Sequence, residues 1–233
     1  MPALPDEFLG GFIPCLRKIF LEGIPFPAAP ALLLSARDFV YANVRDIPST
    51  GYISPEAMVT SLATLSGLKY LNLGFRRGPY PNRIRGPPIT RTILPALTTF
   101  GFVGLLEYLE VFAAQIDAPL LSCLRTAYLE KSYWDQYPHS SSSEDGEDYI
   151  ESHISQLCMF IDRSENLKLS PFRRAFLEIE DYFFIIELDG DNSSFKFSTH
   201  DRISQLEVFS QISGLLSNVD RLFISSKSPD TVG

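Results

Sequence analysis

The segment Leu68-Lys69-Tyr70-Leu71-Asn72-Leu73 is one copy of a pattern that recurs along the first half of the chain. The full pattern, L-x-x-L-x-L-x-x-[IL] with other apolar residues substituting, begins at residues 16, 39, 68, 97 and 121, so its steps are 23, 29, 29 and 24 residues. Repeats of roughly 20 to 29 residues with this pattern are typical of leucine-rich repeats. The sequence therefore predicts an α/β fold, an irregular leucine-rich-repeat solenoid shaped like a horseshoe. Its parallel strands would form the concave face, with helices and loops on the convex face.

The same pattern predicts which side chains point outward. Successive side chains of a strand point to opposite faces, so the residues between the inward leucines should project from the concave face and align in columns between repeats. Tyr41 and Tyr70 fall in one such column, beside amide and arginine side chains. Tyrosine and arginine are enriched in protein-binding hot spots. The predicted partner-binding residues are Tyr41, Asn43, Arg45, Tyr70, Asn72, Lys18, Phe20 and Arg125.

The segments between the predicted strands have helical periodicity. Ser54-Pro55-Glu56 predicts a helix start, because serine can cap the free amides of a first turn and proline is tolerated there. Met58, Leu62 and Leu65 then form one apolar stripe, and Gly67 occupies a position suited to a helix C-cap. A second helical stripe consists of Leu106, Leu109, Phe112, Ala113 and Ile116.

The repeat pattern weakens in the second half of the chain. Phe172–Ile179 and Tyr182–Leu188 are rich in aromatic and branched residues, and Phe195–Phe197 alternates, so all three are predicted strands. Asp189–Asn192 has the composition of a hairpin turn. Val219–Ile224 restarts the repeat pattern.

This reading divides the chain into four parts. Residues 1–135 form the regular repeat array, 136–149 an acidic, serine-rich flexible loop, 150–226 continuing but degenerate repeats, and 227–233 a disordered tail. Within the loop, Ser141 and Ser142 each have an acidic residue three positions later, which is the context that acidophilic kinases prefer. They are candidate phosphorylation sites, and an unmodified flexible loop is the alternative.

Composition limits the classes of partner. The net charge is −8, which disfavours nucleic acid and anionic membranes, because both reward clusters of Lys and Arg. No apolar run has the roughly 18–20 residues of a membrane-spanning helix. Cys15, Cys123 and Cys158 are odd in number and widely spaced, so neither a disulfide framework nor a zinc site is predicted. A reducing compartment, the cytoplasm or nucleus, is the expected location.

The motifs of common enzyme classes are absent from the sequence. It contains no phosphate-binding loop of the G-x-x-x-x-G-K-[ST] type and no G-x-S-x-G nucleophile motif. His139, His153 and His200 are scattered, and Cys158 lies in an apolar stripe. The prediction is a binding module with no catalytic residues, no metal and no cofactor.

Two stretches carry a resemblance to a known family. They are Leu32–Val59, which contains I-P-S-T-G-Y-I-S-P-E-A-M-V, and Ile116–Leu121, which reads I-D-A-P-L-L. The chain resembles the leucine-rich-repeat portion of F-box-type proteins of mushroom-forming fungi. The resemblance implies capture of an unknown protein target for a ubiquitin ligase. In that family an N-terminal F-box docks a Skp-type adaptor. We expect no F-box here, since no segment before Leu4 has room for one, so the adaptor would bind only a longer product.

Two alternatives remain open from the sequence. A compact α/β enzyme of hydrolase or transferase type would also alternate strands and helices in a doubly wound sheet. A non-functional repeat fragment would retain the pattern without a partner. The recurrence of the pattern at steps of 23 to 29 residues favours the solenoid over the enzyme.

Overall fold

The computed structural model describes residues 15–24, 38–47, 53–75, 91–128, 156–169, 172–180, 183–199 and 212–226. Helices α1 (Pro55–Leu62) and α2 (Leu106–Gln115) lie in the first half, and further helical turns cover 156–163, Glu165–Leu169 and 212–216. The strands are β1 Lys18–Glu22, β2 Tyr41–Ile47, β3 Tyr70–Phe75, β4 Thr92–Ile93, β5 Thr99–Gly104, β6 Ile116–Asp117, β7 Cys123–Tyr128, β8 Phe172–Glu180, β9 Phe183–Gly190, β10 Ser194–Thr199 and β11 Arg221–Ser226.

Nine of these strands form one sheet in the order β1-β2-β3-β5-β7-β10-β9-β8-β11. Strand β9 is antiparallel to both of its neighbours, and the other pairings in this sheet are parallel. Strands β4 and β6 pair separately. The protein is thus a mixed α/β structure built on a large, mostly parallel sheet, which confirms the α/β class.

The inward positions of the repeat pattern form the core. Leu71, Phe100 and Leu124 are register partners in β3, β5 and β7, and all three are fully buried. Helix α2 covers this face of the sheet, with the ring centroids of Phe100 and Phe112 5.4 Å apart. Burial of one such side chain contributes about 1.5–3 kcal/mol. The buried row therefore stabilises the parallel register of β3, β5 and β7. That register also determines which residues lie side by side on the opposite face of the sheet.

Helix α1 begins where the sequence predicts. The Ser54 hydroxyl accepts a hydrogen bond from the Ala57 amide at 3.2 Å, and Pro55 opens the first turn. The predicted C-cap at Gly67 is wrong, because the helix ends at Leu62 with Ala63 as its cap residue. Two tight turns follow. The Leu65 amide donates to the Leu62 carbonyl, and the Leu68 amide donates to the Leu65 carbonyl, so these residues cannot continue the helix.

Helix α2 differs from its prediction at its end. Leu109, Phe112 and Ala113 form the buried stripe, and Leu106 packs at its edge. Ile116, expected to complete the stripe, is instead the first residue of β6 and pairs with Thr92. It is fully buried there, so its apolar character serves the same core from a strand.

The second half of the chain extends the same sheet in a different strand order. Strands β9 and β10 form the predicted hairpin, and β10 lies parallel to β7 in the place next to the repeat strands. Strand β8 lies beyond β9, and β11 is parallel to β8 at the edge. Chain order is therefore reversed from β8 to β10. The four-part division of the chain stays a prediction, and residues 136–149 and 227–233 lie outside the described ranges.

In the described ranges, no helix is both long enough and apolar enough to cross a membrane.

Candidate functional site

The side chains opposite the core form a surface that we call the outer face. Neighbouring strands align its residues in rows, as the repeat register predicts. The first row is Lys18, Tyr41, Tyr70, Thr99 and Cys123. The second row is Phe20, Asn43, Asn72, Gly101 and Arg125. The eight predicted partner-binding residues therefore lie on one side of five adjacent strands.

The repeat register also predicts a third row, Glu22, Arg45, Gly74, Val103 and Ala127, and the structure departs from this row at one strand. Arg45 pairs with Glu22, as expected, but the register of β2 and β3 shifts between Val44 and Ile47. Asp46 within this irregularity has φ 53°, a left-handed conformation that Asp tolerates better than most residues. Gly74, expected to point outward, is buried. Gly74 still lies against the backbone of Arg45, since a Cβ at Gly74 would be 3.5 Å from the Arg45 Cα, but the two residues are no longer register partners.

Three aromatic rings line one end of the outer face. The rings of Tyr41 and Tyr70 are stacked, with centroids 4.2 Å apart and an interplanar angle of 7°. Phe20, two-thirds exposed, tilts against Tyr41 at 4.9 Å. The Lys18 ammonium lies 6.0 Å from the centroid of the Tyr41 ring, at the limit of a cation–π contact. Tyr41 and Tyr70 lie together because they share a register position on adjacent strands, and Phe20 reaches Tyr41 from the neighbouring position in β1.

An amide network lies beside the rings. The Asn72 side-chain amide donates to Asn43 Oδ1 at 2.8 Å, and Arg45 Nε donates to the same oxygen at 3.2 Å. Asn43 is only 8% exposed, so it orients its neighbours and offers little surface to a partner. Arg45 is exposed, and its terminal nitrogens are not used by this bond. The network thus fixes the direction in which Arg45 is presented.

Glycine is required next to this network. A Cβ built at Gly101 would overlap with Asn72 Oδ1 and lie 3.1 Å from its Cγ. The space above Gly101 is therefore filled by the Asn72 amide. A side chain at this position would push Asn72 away from Asn43.

Two arginines influence the pKa of the Tyr70 hydroxyl. Burial raises the pKa of Tyr70 above its ordinary value, and the hydrogen-bonded Tyr41 hydroxyl raises it further. Arg45 and Arg125 oppose this shift in pKa, since their positive charges favour the phenolate. Tyr70 therefore lies in the field of cations from β2 and β7. Six of the eight predicted residues form one cluster, which we call the tyrosine–arginine cluster: Tyr41, Asn43, Arg45, Tyr70, Asn72 and Arg125.

The second row continues beyond Arg125 onto strands that the sequence reading left unassigned to this face. Its further members are Lys196, Glu187, Phe176 and Phe223. Phe176 and Phe223 are stacked with centroids 4.7 Å apart, although they are 41% and 49% exposed. They line a groove of about 320 Å³ with the ion pair between Lys196 and Glu187.

Sequence reasoning missed this groove because its register ended at Leu129. The polar residues Arg174 and Glu178 stand two positions on either side of Phe176. This alternation is a signal in the sequence that Phe176 shares their face of the strand. The reversed order of β8, β9 and β10 could not be predicted, because no local sequence pattern indicates which strand pairs with β7.

The remaining candidates do not join this surface. Cys158, predicted to be core, is half-buried in the helical segment 156–163, and burial, reinforced by Asp162, raises its pKa to about 11. A thiol with that pKa is a poor nucleophile near neutrality. Ser141, Ser142 and the three histidines lie outside the described residues. Within the described ranges, the side chains of His, Cys, Asp and Glu form no group of three that could hold a metal ion.

Comparison of the chain with protein-family models, with curated proteins and with solved structures gave no match.

Proposed function

We propose that this protein is a protein-recognition module, an irregular leucine-rich-repeat solenoid that captures a protein target with the outer face of its sheet. The observation that carries the proposal is the tyrosine–arginine cluster. Its rings are stacked and its amides and Arg45 are hydrogen-bonded before any partner arrives. Association costs less when the side chains at an interface are already ordered.

The composition of the cluster supports the same function. Tyr and Arg are over-represented among the residues that dominate binding energies at protein interfaces. Phe20, Phe176 and Phe223 add exposed aromatic surface in the same row, at the two ends of the sheet. Stacked repeats use such continuous faces to bind extended partners. The face therefore has aromatic ends and a polar, cationic middle.

From the resemblance to fungal F-box-type proteins we further propose that this recognition serves a ubiquitin ligase. The repeats would act as the target-binding half of a substrate receptor. In that family a Skp-type adaptor binds through an F-box. The target itself is a protein, identified in the first instance by its dependence on the outer face.

The test is a double substitution, Tyr41→Ala with Tyr70→Ala, in an affinity capture from a basidiomycete lysate. We expect the amount of the specific target to fall at least about tenfold, because loss of a central aromatic anchor costs roughly 2 kcal/mol or more. Met159→Ala, a 43% exposed side chain of the helical segment 156–163, is the matched control and should retain the target.

Two readouts decide the outcome. Quantitative mass spectrometry measures the captured proteins, and thermal unfolding by circular dichroism measures the stability of each variant. Both tyrosines are only half-buried, so we expect the double variant to unfold close to the native temperature. Equal capture by the native chain and the double variant would refute the proposed binding face. A large loss of stability would show that the rings serve the core.

A further inference from the structure

Positive charge is concentrated on one part of the outer face. On β1 to β7 the rows of this face carry Lys18, Arg45 and Arg125, with Glu22 as the acidic residue, and the exposed Asp46 lies next to Arg45 in the irregularity of β2. The whole chain, in contrast, has a net charge of −8. A cationic region on an acidic protein is a local feature that complements an anionic partner and leaves the remaining surface repulsive toward one.

The cations on this region are not neutralised within the described part of the chain. Neither Arg45 nor Arg125 lies within 4.0 Å of a described carboxylate, although Glu22 is the register partner of Arg45. On the other side of β7 the situation is reversed. Lys196 is paired with Glu187 at 3.0 Å, and Arg174 with Asp189 at 3.7 Å. Arg221 in β11 has no such pair among the described residues, but Glu178 on the same face balances its charge, so the excess of positive charge lies on β1 to β7.

The geometry also presents one of these cations in a fixed direction. Arg45 Nε is held by Asn43, which is itself held by Asn72 over Gly101. The bond leaves the two terminal nitrogens of Arg45 for a partner. A guanidinium oriented in this way matches the planar geometry of a carboxylate.

We infer that the outer face binds an acidic segment of its protein partner, with carboxylates seated against Arg45 and Arg125 on the two sides of Tyr70. The inference rests on the proposed function and names the chemistry of the target. A nucleic acid fits the site less well, because its regular phosphates need a longer row of cations than this face has, and the net charge of the chain repels it.

The test uses the native chain and fluorescein-labelled peptides in a fluorescence-polarisation titration. The first peptide alternates Glu with Ser, the second replaces every Glu by Gln, and the third replaces every Glu by Lys. We expect binding of the Glu peptide at least about tenfold tighter than binding of the other two, with the difference shrinking as salt is added, because exposed charges are screened. A labelled single-stranded oligonucleotide is the competing anion. Equal affinity for the Glu and Gln peptides, or tighter binding of the oligonucleotide, would overturn the inference.

Charge reversal locates the site. Arg45→Glu with Arg125→Glu should weaken binding of the Glu peptide about tenfold or more. Lys168→Glu reverses one charge, half of the change in the double variant, on the exposed short helix Glu165–Leu169 and should bind as the native chain does. Thermal unfolding checks that each variant folds. If the double variant does not fold, the three peptides on the native chain still decide. Equal weakening in the Lys168 variant would mean that net charge, and not this face, governs binding.

One comparison separates this inference from the proposed function. A cellular target that is lost with the tyrosine substitutions but retained by the charge-reversed variant would overturn the acidic-segment inference and leave the recognition module intact. Self-association of the native chain that disappears on charge reversal would assign the face to a second copy of this chain, and would overturn the inference as well.

Discussion

Asn43 shows how one side chain can organise a surface without being part of it. It is buried, yet its side-chain oxygen accepts one hydrogen bond from Arg45 on its own strand and one from Asn72 on the neighbouring strand. A buried polar atom must be hydrogen-bonded or it costs free energy, so the amide and the arginine are held in place by the needs of Asn43. The arrangement is possible only because Gly101 leaves room for Asn72.

Gly101→Ala tests this arrangement directly. The new methyl group would overlap with the Asn72 amide, which must move and lose its bond to Asn43. We expect the free energy of unfolding to fall by about 1–3 kcal/mol, the range for overpacking a filled site and losing a hydrogen bond. Urea unfolding followed by circular dichroism measures it. Binding of the target should weaken too, because Arg45 loses its support.

Gly214→Ala is the control for the removal of a glycine. Gly214 lies in the helical segment 212–216, and a Cβ there would meet no atom within 4 Å. Alanine is favoured over glycine in a helix by about 0.5–1 kcal/mol, so this variant should be as stable as the native chain or slightly more stable. If Gly101→Ala also leaves stability unchanged, Asn72 is free to move and the network does not orient Arg45.

Strands and their register were predictable for the first half because two local signals agree there. Alternation of apolar and polar residues assigns the faces, and the repeat step aligns neighbouring strands, so the sequence predicts Tyr41 and Tyr70 in one row. The irregularity at Asp46 was not predictable, because it follows from how β2 and β3 pair. In the second half, alternation still predicted the strands and the hairpin. It could not predict that β10 lies beside β7, which is a long-range choice made by packing.

Helix α1 makes a prediction that belongs to a single element. Ser54→Ala removes the hydroxyl that accepts from the Ala57 amide and leaves that donor to water. We expect a loss of about 1 kcal/mol in the free energy of unfolding, as for other helix N-caps. Ser66→Ala, at an exposed position in the turn after the helix, should cost less than about 0.5 kcal/mol.

Urea unfolding of both variants and of the native chain provides the comparison. Because α1 covers the core side of the sheet, with Met58 and Leu62 fully buried, the loss should appear in global unfolding and not as local fraying. Equal stability of the Ser54 and Ser66 variants would show that the cap is dispensable and that burial alone holds the helix.

At the scale of the whole molecule, one sheet joins a regular half to an irregular half. Strand β10 pairs with β7 along six residues, so the outer face continues from the tyrosine–arginine cluster to the groove at Phe176 and Phe223 without a break. On the core side, the helical segment 156–163 is hydrogen-bonded to the end of α2 and to β6. Arg163 donates to Asp117 at 2.7 Å and to the Ala113 carbonyl at 2.8 Å. These contacts make the two halves depend on each other.

Arg163→Ala tests that dependence. The substitution removes a partly buried ion pair and a charged hydrogen bond to the last turn of α2, and we expect it to lower the free energy of unfolding by about 2–3 kcal/mol. Arg173→Ala removes an exposed pair with Asp191, 3.5 Å apart, and should cost less than about 1 kcal/mol. Urea unfolding by circular dichroism should show a single transition for each variant, with the Arg163 midpoint shifted and its slope unchanged.

Two separate transitions in the Arg163 variant would mean that the halves are stable apart. An unshifted midpoint would mean that the sheet pairing of β7 with β10 joins them without this arginine.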